Sequence, residues 1–286
     1  MGDGLQNALK GYAVPLTKLQ THVLRVLATQ RTPESYIAGG IALNRMGPRF
    51  SEDIDIFQDS EACLVAVAEA DHAALVAAGL KVTWLQMYTG KRQALIEGLG
   101  ATMHLDWVAD SDFRFFPAQP DDLFGFVLHP ADLATNKAAA AADRRVPRDI
   151  VDLVTIHESI LPLGAVVCAA VGRFPGQSPE GMLSEIMRHG RFTAEEFRVL
   201  ATESPIDVPG MHRRIRRMIE EAEDFIGRIP SEFVGFIFLS DGTPVQPDLD
   251  ALENYQCRAG TRCGLWPSSP EISRVMLERY KKPLYP

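Results

Sequence analysis

The feature that most constrains this chain is a pair of adjacent glycines followed, thirteen residues later, by two aspartates in alternate positions. Gly39 and Gly40 come after a short strand-like run, 35–38, and before a short helical run, 41–46. Glycine adopts backbone angles closed to other residues, and without a side chain it lets backbone N–H groups approach a phosphate where a helix begins. The double glycine therefore predicts a phosphate-binding turn.

The two aspartates lie in the run 53–57, which alternates polar and apolar residues. Successive side chains of a strand point to opposite faces, so Asp53 and Asp55 share one face while Ile54 and Ile56 enter a core. Two converging carboxylates repel each other unless a cation lies between them, and Mg²⁺ prefers oxygen ligands, usually shared with substrate phosphates. The pattern indicates a Mg²⁺ site, and the plainer alternative is a charged edge strand.

Together these motifs resemble the signature of the polymerase-β-like nucleotidyltransferase superfamily, in which a glycine-rich turn, a spacer and an Asp-x-Asp strand follow one another. The wider pattern is closer still to the AbiEii/AbiGii toxin family of bacterial nucleotidyltransferases. The turn continues as Gly-Gly-x-Ala-Leu, and Arg49 and Ser51 form an Arg-x-Ser before the aspartates. A second similar block contains Pro-x-Asp-Leu at 130–133, Lys137, and Arg-Asp-x-x-Asp-Leu at 148–153. The resemblance covers roughly residues 30–160.

This resemblance implies an α/β (α+β) fold, a mixed sheet with flanking helices, for residues 1–160. It also implies an enzyme that uses Mg²⁺, with two ions bound, to transfer a nucleoside monophosphate from an NTP to an acceptor hydroxyl. The family further implies a toxin of a toxin–antitoxin or phage-defence system, with tRNA or a protein as acceptor and a cognate antitoxin as partner.

Two metal ions about 3.5–4 Å apart require at least three carboxylates. We choose Asp106 as the third, because the strand-like run 102–107 places it on the same face as His104 and puts apolar residues on the other face. Its expected role is to help activate the acceptor hydroxyl. Asp110 and Asp112 compete for this role from a predicted turn, and a polar Asp106 without a metal role is the plain alternative.

The second block contributes candidate groups for the triphosphate. Lys137 and Arg144 lie seven residues apart on a predicted helix, so both project from one face as a cationic stripe. By resemblance, Lys137 is the phosphate-side lysine of the family, although an isolated lysine is more often a plain surface residue. Arg49 and Ser51 are assigned to nucleotide binding by the same resemblance, and Ser51 could instead cap a turn.

Asp149 and Asp152 share a helical face three residues apart, and Arg148 could pair with Asp152 at the i, i+4 spacing. The family match assigns Asp152 to catalysis and Asp149 to nucleotide binding. The alternative is structural, with ion pairs that tie this helix to Arg144 or Arg145.

At 286 residues and 31.5 kDa the chain is long enough for two cores. We place a boundary near residue 160 and predict that 161–286 form a mainly helical domain with a loop-rich tail. The net charge of −8 argues against nucleic-acid binding over the whole surface and leaves room for a local basic patch. The most basic run, 212–217, is followed at once by acidic residues, so i, i+4 ion pairs are favoured over an RNA contact.

No apolar stretch approaches the ~20 residues that cross a bilayer, and the N-terminal residues lack the pattern of a signal peptide. These features predict a cytoplasmic protein without membrane contact. The four cysteines show no C-x-x-C spacing, which favours reduced thiols over zinc or a disulfide between Cys257 and Cys263.

Two other functions remain as alternatives. A binding module on a degenerate nucleotidyltransferase fold would have lost an aspartate or glycine of the motif, and none is lost here. A glycosyltransferase can also hold a metal and a nucleotide sugar with Asp-x-Asp. The Gly-Gly turn before the aspartates and the lack of a Rossmann-like parallel βαβ start argue against it.

Overall fold

The computed structural model describes residues 16–46, 49–110, 113–174 and 176–262. Its main feature is a seven-stranded mixed sheet in the order β3-β4-β5-β2-β1-β8-β7. These strands are β1 (Ser35–Ala38), β2 (Asp53–Gln58), β3 (Lys81–Met87), β4 (Lys91–Gly98), β5 (Ala101–Ala109), β7 (Gln119–Asp121) and β8 (Gly125–Val127). β2 is parallel to β5 and β1 is parallel to β8, whereas the other neighbours are antiparallel. The predicted mixed sheet is confirmed.

Helices flank this sheet, and further helices follow its last strand in the chain. They are α1 (Lys18–Ala28), α2 (Gly39–Leu43), α3 (Glu61–Ala77), α4 (Pro130–Asp143), α5 (Pro147–Ser159), α6 (Leu163–Ala170), α7 (Pro179–His189), α8 (Ala194–Arg198) and α9 (Val208–Arg228). α1 and α3 contact each other and the sheet, and every residue of α6 is buried. One hydrophobic core cluster includes residues from both sides of position 160. The division into two domains stays a prediction.

A tight hairpin joins β4 to β5 and sets their register. Its turn residues, Leu99 and Gly100, have φ angles of 52° and 76°, as expected for a two-residue turn of the hairpin type. Gly98 pairs with Ala101, and counting back from that pair places Gln93 opposite Asp106 and Lys91 opposite Val108. Lys91 and Asp106 are therefore diagonal neighbours on one face.

The N-terminal helix is tied to the segment that leads into β2. The Thr17 side chain caps α1 by accepting from the backbone N–H of Gln20, and the Gln20 side chain accepts from the backbone N–H of Thr17. The Gln20 amide also donates to the carbonyl of Ser51 over 2.7 Å. This contact fixes the chain just before Asp53.

Behind β5, on the face away from Asp106, the core contains two indole rings. Trp107 is fully buried, and its Nε1 donates to Oδ2 of Asp71 over 2.7 Å. The other oxygen of Asp71 pairs with Arg31. The ring of Trp84 on β3 lies 5.3 Å from that of Trp107. These contacts hold β5, the strand that carries Asp106, on its core face.

The described part of the tail contains strands that the sequence analysis did not predict. They form a three-stranded antiparallel sheet of β9 (Phe236–Ser240), β10 (Thr243–Val245) and β11 (Gln256–Ala259). A further short strand, β12 (Thr261–Arg262), pairs with β6 (Phe113–Arg114), which follows β5. Arg258 also donates to the carbonyl of Phe115. The tail therefore contacts the segment that follows the Asp106 strand.

Across the described ranges, no single helix is long and apolar enough to cross a membrane. The pair formed by Pro147–Ser159 and Leu163–Arg173, bent by 111°, meets the length and composition criteria only when taken together.

Candidate active site

The three predicted carboxylates lie on one face of two neighbouring strands. β2 and β5 are parallel, and their register pairs Asp53 with His104 and Asp55 with Asp106. The apolar residues between them point to the core, where Ile54 and Leu105 are fully buried. The structure thus gathers Asp53, Asp55 and Asp106 as the alternation predicted.

The carboxylates are close enough to affect one another. Burial, followed by the negative charges of Asp106 and Asp53, raises the pKa of Asp55 from its ordinary 3.8 to about 6. The Oδ1 atom of Asp106 is buried and has no hydrogen-bond partner. Crowded carboxylates with an unpaired oxygen are the kind of donor set that accepts a hard cation.

Within the described residues, however, no group of three or more His, Cys, Asp or Glu side chains is already arranged to hold a metal ion. Basic side chains already contact two of the carboxylates. Lys91 Nζ is 2.7 Å from Oδ2 of Asp106, His104 Nδ1 is 3.5 Å from Oδ1 of Asp53, and Arg148 Nη1 is 3.8 Å from Oδ2 of Asp53. The donors fit Mg²⁺ in kind, but they are partly engaged elsewhere.

At the predicted turn, neighbouring side chains lie so close to the backbone that only glycine fits. Gly39 has a φ of +67°, and a Cβ there would lie 1.9 Å from Oδ2 of Asp55. A Cβ on Gly40 would lie 2.9 Å from both Arg49 Nη2 and Ser51 Oγ. Side chains larger than hydrogen would displace the groups beside the turn. The turn, the Arg-x-Ser segment and the Asp-x-Asp strand therefore form one packed unit.

Asp152 is the centre of a buried polar cluster beside this turn. It accepts from Nε and Nη2 of Arg49 at 3.0 and 2.9 Å, from Asn44 Nδ2 at 3.0 Å, and from Lys137 Nζ at 2.9 Å. Burial alone would raise the pKa of Asp152, but Lys137 and Arg49 outweigh it and hold that pKa below its ordinary value. Arg148 does not join this cluster, so the predicted pair of Arg148 with Asp152 is corrected: Arg148 approaches Asp53 instead.

Asp149 extends the same cluster towards the cleft. It accepts from Lys137 Nζ at 2.9 Å and from Arg144 Nε at 2.8 Å. Burial opposes ionisation of Asp149, yet Arg144 and Lys137 lower its pKa overall. Lys137 is buried between two carboxylates, so the structural alternative named above, ion pairing of this helix, is present. Catalytic and nucleotide-binding roles for these residues stay predictions.

A cleft of about 740 Å³ opens above the sheet face. Its walls come from the glycine turn, the carboxylate strands, the alanine-rich side of α4, the start of α5 and the segment around 173–182. All predicted site residues except Asp149 and Asp152 line it directly. Asp110 also lines the cleft and pairs with Arg173, whereas Asp112 lies outside the described residues.

Two further predictions concern residues away from the cleft. In the basic run, Arg217 lies 3.7 Å from Glu221, and both Arg214 and Arg217 contact Glu158. The ion-pair interpretation of this run is favoured. Cys257 is a free thiol, and Cys263 lies beyond the described residues.

Sequence reasoning missed two contacts of the site. Lys91 was not singled out, although the turn at Leu99 and Gly100 fixes a hairpin register that sets it diagonal to Asp106. Asn44, which donates both to Asp152 and to the carbonyl of Gly40, had no local signal because Asp152 is distant in sequence.

Residues 25–233 match the family model described as "Nucleotidyl transferase AbiEii toxin, Type IV TA system". The chain belongs to the AbiEii nucleotidyltransferase toxin family. This AbiEii match includes every candidate site residue, from Gly39 to Asp152, and it confirms the resemblance seen in the motifs. No curated protein matches the sequence.

Several solved structures are similar to this AbiEii-family chain. JHP933 from Helicobacter pylori has a TM-score of 0.46 and 15% identity, over 73% of this chain and 91% of its own. A second H. pylori structure, described as a candidate nucleotidyltransferase, has a TM-score of 0.45 and 15% identity, over 73% and 94%. Cid1, described for its RNA terminal uridylyl transferase activity, has a TM-score of 0.28 and 14% identity, over 58% and 44%. Because these scores are low, the family assignment rests on the sequence match.

Proposed function

We propose that this AbiEii-family nucleotidyltransferase requires Mg²⁺ and transfers a nucleoside monophosphate from an NTP to an acceptor hydroxyl, releasing pyrophosphate. The observation that carries this proposal is the convergence of Asp53, Asp55 and Asp106 on one sheet face beside the Gly39 turn. Two Mg²⁺ ions held by these carboxylates would neutralise the triphosphate and lower the pKa of the attacking hydroxyl.

Different residues of the chain act on the acceptor hydroxyl and on the leaving diphosphate. The acceptor oxygen attacks the α-phosphorus and gives up its hydroxyl proton to water, while the bond from that phosphorus to the α–β bridging oxygen breaks in line and pyrophosphate leaves with the bonding electrons. We assign Asp106, which lines the same cleft, to orienting the hydroxyl. The Gly39-Gly40 turn lets the leaving diphosphate approach the backbone, because neither residue has a side chain there.

The buried cluster around Asp152 positions the cations of this turn. Arg49 is held bidentately by Asp152 and packs against Gly40, with Ser51 beside it. Lys137 lines the same cleft, and because its ammonium has three N–H donors and two carboxylate partners, the third N–H can donate to a phosphate oxygen. We therefore assign Asp149 and Asp152 to positioning, and Lys137 with Arg144 to the phosphate side.

The acceptor and partner are proposed from family membership. An AbiEii toxin of a Type IV toxin–antitoxin system is expected to have a cognate antitoxin. We propose a cytoplasmic enzyme with tRNA, or a protein, as acceptor. Basic and acidic side chains are nearly balanced in the lining of the cleft, in contrast to the net charge of −8 for the chain, and this balance supports binding of an anionic substrate there.

The test is label transfer from each α-³²P NTP, with Mg²⁺ and total tRNA. The Asp53→Ala/Asp55→Ala double variant should lose all transfer. The matched control is Asp248→Ala/Asp250→Ala, in the exposed loop between β10 and β11. It also removes two alternate aspartates, but outside the cleft, and should keep wild-type activity.

Label on RNA or on a protein that vanishes only in the first variant would support the proposal and identify nucleotide and acceptor. Transfer that survives loss of Asp53 and Asp55 would refute it. Absence of label with every NTP, despite Mg²⁺-dependent NTP binding, would count against tRNA as acceptor.

A further inference from the structure

The hairpin that carries Asp106 also supplies a cation at the metal-binding face. Lys91 lies at the start of β4, with its Nζ 2.7 Å from Oδ2 of Asp106. The Lys91 side chain is 40% exposed, whereas that of Asp106 is only 12% exposed. The contact therefore joins a half-exposed cation to a nearly buried carboxylate.

A cation is needed at this place when no metal is bound. Asp53, Asp55 and Asp106 face the same side of the sheet, and their mutual repulsion contributes to the raised pKa of Asp55. Arg148 and His104 lie 3.8 and 3.5 Å from Asp53, and the charge of Arg148 also lowers the pKa of Asp55. Among the described residues, Lys91 is the cation in contact with Asp106.

Lysine is a poor substitute for a divalent ion. Its ammonium is a compact point charge on a flexible stem, whereas Mg²⁺ binds oxygens from several groups at once. In keeping with this, Lys91 engages one oxygen of Asp106 and leaves Oδ1 buried without a partner. A half-exposed ion pair also contributes little to folding, so its value to the fold alone is small.

We propose that Lys91 is a positioning residue that holds Asp106 in the absence of metal and is displaced when a divalent cation binds. This inference rests on the proposed metal-dependent function. Lys91 and the metal then compete for Oδ2 of Asp106. Removing the lysine charge should strengthen metal binding, and binding metal should release the Lys91 ammonium into solvent.

The first test measures Mn²⁺ binding from the electron paramagnetic resonance signal of free Mn²⁺, without substrate. Lys91→Gln should bind Mn²⁺ about fivefold more tightly than the wild type, which is the upper range for losing a half-exposed ion pair. Lys91→Arg keeps the charge and should stay within about twofold of the wild type. Lys81→Gln is the matched control, since Lys81 pairs with Glu97 at 2.6 Å on the same sheet but outside the cleft.

The second test uses the unaltered protein. Brief acetylation followed by mass spectrometry gives the ratio of Lys91 to Lys81 modification, which should rise when Mg²⁺ is added. Unchanged or weaker Mn²⁺ binding in Lys91→Gln, or a ratio that does not rise, would overturn the inference while leaving the metal site intact. Failure of every variant and of the wild type to bind Mn²⁺ would overturn the metal site itself, and this inference with it.

Discussion

Replacing Gly39 with alanine tests whether the glycine turn and the Asp-x-Asp strand are one unit. Gly39 has a φ of +67°, and a new Cβ would lie 1.9 Å from Oδ2 of Asp55. The left-handed backbone costs an L-residue roughly 1–2 kcal/mol. To reach even a tight contact of 3.0 Å, the Asp55 carboxylate must also retreat by 1.1 Å, the difference between 3.0 and 1.9 Å. A misplacement of about 1 Å at a reacting centre can cost about 100-fold in rate.

A second glycine separates these two effects. Gly79, after α3, has a similar φ of +82°, but a Cβ there would meet nothing within 4 Å. Gly79→Ala should therefore lose roughly 1–2 kcal/mol in urea unfolding and keep full label transfer. Gly39→Ala should lose at least as much stability and about 100-fold in transfer rate. Equal transfer rates in the two variants would refute the argument that Gly39 is glycine because of Asp55.

The remaining predictions concern the carboxylates of Asp55 and Asp152. The folded protein holds the proton of Asp55 more tightly than the unfolded chain, so ionisation costs stability as pH rises from 3.8 towards 6 and the full cost applies above 6. In EDTA, Asp55→Asn should raise the free energy of unfolding by about 3 kcal/mol at pH 8, since each pKa unit is worth about 1.4 kcal/mol, and barely change it at pH 4; a difference independent of pH would contradict this. Asp152→Asn should lower stability by about 3 kcal/mol, because Arg49 and Lys137 stay buried with less counter-charge; a loss below about 1 kcal/mol in urea unfolding would count against that cluster.

The local periodicity of the sequence was enough to predict which side chains share a face. Alternation along 53–57 and 102–107 placed Asp53, Asp55 and Asp106 on the polar side of their strands, as the structure shows. Alternation within one strand carries no information about its neighbour, so the sequence did not predict that the two strands are adjacent and parallel.

Contacts between distant segments could not be predicted in this way. The i, i+4 spacing suggested Asp152 as the partner of Arg148, but Asn44, Arg49 and Lys137 already surround that carboxylate. Helical spacing describes only neighbours on one helix, so it could not detect these competitors.

The strands of the tail could not be predicted for the same reason. The apolar run of β9 has strand character, yet its partners β10 and β11 are short and separated from it by turns. Pairing of such strands is decided by nonlocal contacts and burial, which a propensity argument does not contain.

The two tryptophans behind β5 give the protein an intrinsic spectroscopic probe of its carboxylate site. Trp107 follows Asp106 directly in the chain, points to the opposite face and is locked to Asp71, with the Trp84 ring 5.3 Å away. Any displacement of this strand that reaches the carboxylates must also change the environment and coupling of two chromophores. Ligand-induced changes at the site should therefore be visible, without any introduced label, in ultraviolet fluorescence and near-ultraviolet circular dichroism.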